Sequence, residues 1–336
     1  FKRDGKVSVN QDTITFKGKL YFYNIDYAGI IKVKIKDGKL IRKNNSLVVD
    51  RASEVVIYFS CLTNYRLSSQ LFLKDHPQLK SDATLLKKVT SIISQAIKYD
   101  YAGIYQRHLK DYSSLYSRLS LSLNNEDQSN VPTSKLLENY QKNKRSSYLE
   151  SLLYQYARYL LICSSRKGGL PANLQGIWTP YDSSPWSAGY WHNINIQMNY
   201  WASFPSNLAD LFIPYDKYNQ AYLAKANKLA DEYIKALYPN KFSDDNGWVI
   251  GTGGWPYKIE GLNTKSHSGP GTGAFTSLLF YDYYSYTLDK KYLAKQVTSE
   301  EISAYEAKFE EVKKKARFRA KSNAEHGVIL AIQDMM

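Results

Sequence analysis

The sequence predicts a β-structured N-terminal portion followed by a mainly α-helical remainder. Two observations carry this prediction. Short β-branched or aromatic runs, separated by turn signals such as residues 36–39, fill the first 75 residues and are typical of strands. From about residue 80 the apolar residues recur with a helical period instead. Of the 336 residues, 43% are hydrophobic and 14% aromatic, which is enough to build a folded core.

Individual elements follow from the same patterns. Four strands are predicted at residues 7–16, 20–23, 30–35 and 55–59. Four strong helices are predicted at residues 85–97, 149–163, 222–237 and 272–286. Polar residues 122–134 are predicted to form a loop. Residues 164–201 and 239–273 are long connections rich in Gly, Pro, Asn and Trp, and connections of this length inside a helical domain usually carry function.

The charge pattern argues against a nucleic-acid-binding surface. The formal net charge is +14, and a strongly basic balance is typical of proteins that bind polyanions. The lysines are scattered, however, and those in residues 32–36 alternate with apolar residues as in a half-exposed strand. We therefore interpret the charge as a solvated surface, with binding to anionic polymers as the lesser alternative.

Other classes are excluded by equally simple patterns. No apolar run approaches the roughly 20 residues that a membrane span requires, so no span is predicted. Cys61 and Cys163 lie among apolar residues and are interpreted as core thiols. The sequence contains neither His-x-x-x-His nor Cys-x-x-Cys, and no metal or cofactor is predicted. The chain begins at Phe1 without a charged-then-apolar leader, which we interpret as a mature or partial chain.

The densest candidate site lies in residues 168–201. This segment contains four tryptophans, six side-chain amides and a single histidine, His192. Amides both donate and accept hydrogen bonds without carrying charge, which suits sugar hydroxyls, and indole faces suit sugar rings. The alternative is that the amides tie down a long loop and that the tryptophans fill the core beneath it. A lone histidine is more often a hydrogen-bonded core residue than a ligand.

Asn193 and Asn195 are the strongest individual candidates. In extended backbone, side chains two residues apart lie on the same face, so both amides would point at one place. Two such amides can position a water molecule or a substrate hydroxyl. They cannot act as a base, because an amide takes up no proton at neutral pH.

A convincing carboxylate pair is missing from the sequence. Glycoside hydrolysis normally requires two carboxyl groups, one acid and one base or nucleophile. Acidic residues in or near the candidate segments stand in no telling context: Asp182, Asp210, Asp244, Asp245, Glu260 and Asp282.

Taken together, several segments resemble glycoside hydrolase family 95, the α-1,2-L-fucosidases and α-L-galactosidases. The resemblance covers about 290 residues, and the amide-rich run is its most unusual part. It depends on residues 158–161, 165–166, 170–178, 185–186, 193–201 and 247–249.

The resemblance implies a domain order and an incomplete chain. Residues 1–75 would be the C-terminal part of a β-sandwich domain, and residues 76–140 a helical linker. Residues 141–293 would be the first part of an (α/α)6 catalytic toroid, followed by a divergent helical tail, residues 294–336. A complete toroid of six helical hairpins needs more helices than this sequence contains.

The resemblance also implies a chemistry. Members of the family invert the anomeric centre: a glutamic acid protonates the glycosidic oxygen, and an aspartate activates a water held by two asparagines. Asn193 and Asn195 match the asparagine pair. Glu325 faintly resembles the setting of the acid, whereas the base has no counterpart here. A histidine that often precedes the first asparagine by two residues is replaced by Trp191, which would alter sugar preference.

The resulting hypothesis is an α-L-fucosidase-like glycosidase that acts on fucosylated oligosaccharides or glycans and needs no cofactor. The sugar site would be lined by Gln175, Trp178, Trp186, His192 and Trp255. One alternative is an inactive carbohydrate-binding derivative or fragment of such an enzyme. Another is a decayed product that binds nothing. The family suggests secretion or a cell-surface location, and the sequence leaves the oligomeric state open.

Overall fold

The N-terminal portion forms β-sheets, as predicted. The computed structural model describes residues 3–74, 77–123, 127–240, 246–262, 269 and 271–293. Its first six strands are β1 (Arg3–Asn10), β2 (Thr13–Leu20), β3 (Ile25–Lys36), β4 (Lys39–Lys43), β5 (Ser46–Asp50) and β6 (Glu54–Thr63). Strands β1, β2, β3 and β6 form an antiparallel sheet in that order, and β4 pairs with β5 as a separate hairpin.

Two strand predictions were wrong in detail. Residues 7–16 are not one strand but the two arms of the β1–β2 hairpin, which reverses at Gln11, where the backbone is left-handed with φ 49°. Residues 21–23 form a turn of 3₁₀ helix, closed by left-handed Asn24 at φ 56°. In both places a polar residue adopts the left-handed turn conformation without any glycine or proline to signal it.

The four-stranded sheet has one charged and one uncharged face. Residues paired across the ladder point to the same side, and from Asp4 onward all nine charged residues of these strands fall on one side. The central part of that side also packs against a helix through Ile30, Tyr58, Val89 and Ile93. The other side, which we call the uncharged face, is exposed over much of β6.

The remainder of the described chain is mainly helical. Its elements are α1 (Ser69–Phe72), α2 (Leu85–Ala96), α3 (Tyr101–Tyr116), α4 (Thr133–Asn143), α5 (Ser147–Ser164), α6 (Asn195–Trp201), α7 (Ile213–Leu237), β7 (Gly254–Trp255), β8 (Lys258–Ile259), α8 (Gly271–Thr287) and α9 (Lys290–Leu293). The four predicted helices are confirmed as α2, α5, α7 and α8. Helix α3 was not predicted. Its start is capped by the Asp100 side chain, which accepts a hydrogen bond from the Gly103 backbone N–H at 2.7 Å.

A core of tyrosines on α7 supports the candidate site. Tyr215, Tyr218 and Tyr222 lie on one face of the helix and have no exposed surface. Tyr218 and Tyr222 meet edge-on with ring centroids 5.1 Å apart. Burial raises the pKa of all three phenols, so they remain neutral.

The chain divides into two compact units, Phe1–Leu279 and Phe280–Met336. Among the described helices, not one is long and apolar enough to cross a membrane. The predicted helical tail and Glu325 lie outside the described residues. Cys61, predicted to be a core thiol, is exposed on the uncharged face, because the interior side of β6 is the opposite one.

Candidate functional site

A short antiparallel pairing joins the two long connections. The Tyr190 N–H donates to the Gly254 carbonyl and the His192 N–H to the Thr252 carbonyl, both at 2.7 Å. The partner strand β7 pairs in turn with β8 in a tight hairpin. The segment that carries the asparagines is therefore fixed to the segment that carries Trp255.

Asn193 and Asn195 lie at the start of a helix and not in extended backbone. The Trp191 carbonyl accepts from the Ile196 N–H at 3.0 Å, which closes a turn over Asn193. Helix α6 then begins at Asn195 itself. The extended-backbone premise was wrong, because these local hydrogen bonds replace strand pairing immediately after His192.

The two amides are nevertheless available to a ligand. Asn193 is exposed and Asn195 is half-buried. Within the described part of the chain, neither side-chain amide forms a hydrogen bond. Other amides of the same run are used internally: Gln197 donates to the His192 carbonyl at 2.8 Å, and Asn199 donates to the Asn173 carbonyl at 3.1 Å. The structure thus separates two free amides from those that hold the loop.

His192 is a core residue beneath these amides. Its side chain has no exposed surface and lies among the three tyrosines of α7, with ring centroids 6.1 to 6.4 Å away. Burial lowers the pKa of the imidazole to about 4, although the nearby carbonyls of Thr252 and Tyr190 favour the charged form. Among the described residues, neither ring nitrogen has a hydrogen-bond partner. In this arrangement the ring has no contact with solvent.

Residues 185–188 gather three side-chain donors. The carbonyls of residues 185, 186 and 187 accept in turn from Gln175 Nε2, Trp191 Nε1 and Trp255 Nε1, each at 3.3 Å. Trp191 and Trp255 meet edge-on with centroids 6.2 Å apart. The structure therefore brings Gln175, Trp191 and Trp255 to the loop that carries Trp186.

The loop owes this arrangement to an unusual backbone. Trp186, Ser187 and Ala188 have left-handed φ angles of 50°, 56° and 49°. A run of non-glycine residues in this region is costly and persists only where surrounding contacts hold it. The Trp186 side chain on this loop is 69% exposed, with its ring available for contact.

Trp178 lies in a different place. It lines a cavity of about 460 Å³ whose wall also includes Gln175, Asn199, Tyr154 and Arg158. The other predicted site residues do not line this cavity: Asn193, Asn195, Trp186, His192 and Trp255. Gln175 contributes to both places, since its amide reaches the 185–188 loop from the cavity wall.

The candidate carboxylates divide into groups with different environments. Asp210 is paired with Arg118 at 2.8 Å, and Glu260 accepts from the Gly253 N–H at 3.0 Å, so both have structural partners. Burial raises the pKa of Asp282. Asp244 and Asp245 lie outside the described residues. The described ranges also contain no group of three His, Cys, Asp or Glu side chains placed to hold a metal ion.

Sequence reasoning missed Trp191 and Gly254 as parts of this arrangement. Trp191 was noted only as a departure from the family pattern, and its position directly before His192 was the available signal. Gly254 is one of several glycines in the connection at residues 239–273, and nothing in the sequence distinguishes it from the others. A Cβ at Gly254 would lie 2.6 Å from His192 Cε1 and 2.7 Å from the Tyr218 hydroxyl, so only glycine fits there. No sequence pattern predicts that contact.

Comparisons with known proteins define the class first: the chain is a glycoside hydrolase domain. The model of the "Glycosyl hydrolase family 95 catalytic domain" matches residues 100–323. Because this match covers more than half of the chain, the chain belongs to glycoside hydrolase family 95.

Curated relatives agree with this assignment. The chain is 29% identical over 310 residues to "Alpha-L-fucosidase 2" of Arabidopsis thaliana, covering 87% of this chain and 34% of that protein. It is 29% identical over 306 residues to "Probable alpha-fucosidase A" of Aspergillus niger, covering 84% and 35%. The chain therefore spans about a third of the length of these relatives.

A solved structure supports the fold alone. The "Putative kojibiose phosphorylase from human microbiome" superposes with a TM-score of 0.51 at 12% identity, over 86% of this chain and 34% of that one. A similarity at this identity shows that the order of β-sheet and then helices is shared.

Proposed function

We propose that this chain is part of an inverting α-L-fucosidase that removes terminal α-linked L-fucose from oligosaccharides or glycans. The observation that carries the proposal is the pair of amides of Asn193 and Asn195, which form no hydrogen bond within the described residues and follow Trp191, whose indole N–H donates to the Trp186 carbonyl. Membership of family 95 and the names of the two relatives, each aligned over about a third of its length, support the same substrate class. The exposed ring of Trp186 supplies apolar area for the sugar, and the amides supply uncharged hydrogen-bonding groups.

In this mechanism Asn193 and Asn195 hold the attacking water. An amide can orient water through its donor and acceptor atoms, but a separate carboxylate must take the proton. An inverting reaction also needs a carboxylic acid on the opposite side of the sugar to protonate the leaving oxygen. We assign the acid role to Glu325 as a proposal, whereas no residue of this chain is assigned as base.

We further propose the domain assignment that the resemblance implied. Residues 1–75 would be the C-terminal part of a β-sandwich domain, residues 76–140 a helical linker, and residues 141–293 the first part of an (α/α)6 catalytic toroid, with residues 294–336 as a divergent helical tail. The uncharged face of the four-stranded sheet favours the first assignment, because a sandwich buries one face of each sheet.

A second candidate is a carbohydrate-binding protein that performs no chemistry. The exposed indole of Trp186 and the amides of Asn193 and Asn195 favour it, because these groups can bind a sugar without any carboxylate. Such a protein would keep the roles proposed for Trp186, Trp255 and the asparagines in glycan binding, and it would bind glycan without cleaving it.

The test is incubation with an α-1,2-fucosylated lactose, followed by proton NMR. We expect this chain to bind the trisaccharide but to release almost no fucose, since its acid–base pair is incomplete. Asn193→Ala and Asn195→Ala should weaken binding by about tenfold, whereas the control Asn10→Ala, at an exposed position in β1, should not.

The outcomes separate the candidates. Extending the chain with the downstream part of a family member should restore release of β-fucose, as inversion requires. Release of α-fucose would contradict the inverting mechanism. Release of β-fucose by the chain as it stands would contradict the missing pair, and Glu325→Gln and Asp282→Asn would then locate the acid. Binding that persists without release in the extended chain would favour the binding protein.

A further inference from the structure

The turn that carries the asparagines is held by one residue through both its backbone and its ring. The backbone N–H of His192 donates to Thr252, and its carbonyl accepts from Gln197 Nε2 at 2.8 Å. Gln197 is itself buried and also donates to Thr276 Oγ1 at 3.0 Å. Hydrogen bonds therefore hold both the backbone N–H and the carbonyl of His192, the residue directly before Asn193.

The imidazole ring of His192 holds the same turn through its packing in the core. It fills the space that Gly254 leaves by lacking a side chain, and it lies nearly parallel to Tyr218, at 12° between ring planes. Because burial keeps the imidazole neutral, it can occupy this tyrosine core without a counter-ion. The ring cannot leave without opening a cavity among fully buried side chains.

We infer that His192 is a positioning residue, which fixes the Asn193–Asn195 turn against the Gly254–Trp255 strand; the link to catalysis rests on the proposed function. The amides of Asn193 and Asn195 are set by a backbone that His192 anchors, and Trp255 is set by the strand that His192 contacts. A shift of the ring moves both sets of groups relative to each other. Small displacements of this kind are costly to ligand positioning.

Side-chain amide NMR tests the inference without requiring any ligand. In the ¹⁵N-labelled chain, the signals of Asn193 and Asn195 are identified by their loss in the corresponding alanine variants. His192→Ala and Gly254→Ala should shift both pairs of signals, since the first removes the ring and the second pushes it away. His192→Phe, which keeps a buried ring, should largely restore their positions.

The control is Leu136→Ala, which removes a buried side chain of α4. It should lower the melting temperature but leave the signals of Asn193 and Asn195 in place. If Leu136→Ala moves them as much as His192→Ala does, or if His192→Ala and Gly254→Ala leave them unmoved, the inference is overturned.

Titration with the fucosylated lactose adds a functional readout under conditions in which every variant is folded. Affinity should fall by about tenfold or more in His192→Ala and change little in His192→Phe and Leu136→Ala. If the unaltered chain binds no sugar, the proposed function fails while the NMR result still decides the role of His192. If the chain binds sugar and His192→Ala binds equally well, only the positioning role fails.

Discussion

Acidification from about pH 6.5 to about pH 4 is expected to cost the folded protein about 3 kcal/mol through His192 alone. The pKa of the imidazole falls from 6.5 to about 4 on folding, because the ring is fully buried. Above pH 6.5 the ring is neutral in both states and the stabilisation is fully present. As the pH falls toward 4, the unfolded chain takes up a proton that the folded core excludes, so stability is lost.

The measurement is the free energy of unfolding in urea at a series of pH values, for the unaltered chain and for His192→Phe. Carboxylates that titrate in the same range are common to both proteins and cancel in the difference. That difference should change by about 3 kcal/mol between pH 7 and pH 4. Leu136→Ala should instead give a curve parallel to that of the unaltered chain. Parallel curves for His192→Phe would show that the ring is not held neutral.

The sequence was sufficient to predict the helices because their apolar faces are continuous. Residues 85–97 became α2, whose Leu85, Val89 and Ile93 are buried one turn apart. Residues 7–16 failed for the opposite reason. The reversal at Gln11 separates two runs that each alternate like a strand, and alternation cannot reveal a turn made by a polar residue in left-handed backbone.

The candidate site was predicted in composition but not in geometry. The Asn-x-Asn spacing identified the free amides, yet their position at the start of α6 depends on the hydrogen bond from Ile196 to Trp191. Likewise, Trp255 was identified by its residue type, but its place beside Trp191 follows from the left-handed loop at residues 186–188. Contacts between segments 60 residues apart in sequence leave no local periodic signal for sequence reasoning to detect.

Replacing two apolar residues of the uncharged face by lysine is expected to show whether that face is buried in a longer form of the protein. Ile57 and Phe59 are 63% and 61% exposed, with Val7 and Val55 also exposed on that side. Phe16 lies across Gly29 and stacks with Phe59 at 6.2 Å, so the apolar surface continues from β6 to β2. In the proposed sandwich, this contiguous apolar surface is the face that the second sheet would cover.

Ile57→Lys combined with Phe59→Lys should therefore reduce self-association of the chain as it stands but destabilise a longer form of the protein. In the chain as it stands, the pair should reduce self-association and binding of a hydrophobic dye, and it should change monomer stability by only about 1 kcal/mol. In a longer form that supplies the second sheet of the proposed sandwich, the same pair should destabilise by about 4 kcal/mol or more, because two charges would be buried without partners.

The matched control places the same charge on the opposite side of the sheet. Ser8→Lys combined with Asn10→Lys adds two lysines to exposed positions on the charged face of β1. In the chain as it stands, this pair should leave both self-association and dye binding unchanged. In the longer form it should lower the free energy of unfolding only slightly. Light scattering and urea unfolding of the two double variants measure these quantities. Equal behaviour of the two pairs in the long form would show that no second sheet covers Ile57 and Phe59, and the sandwich assignment of residues 1–75 would then be wrong.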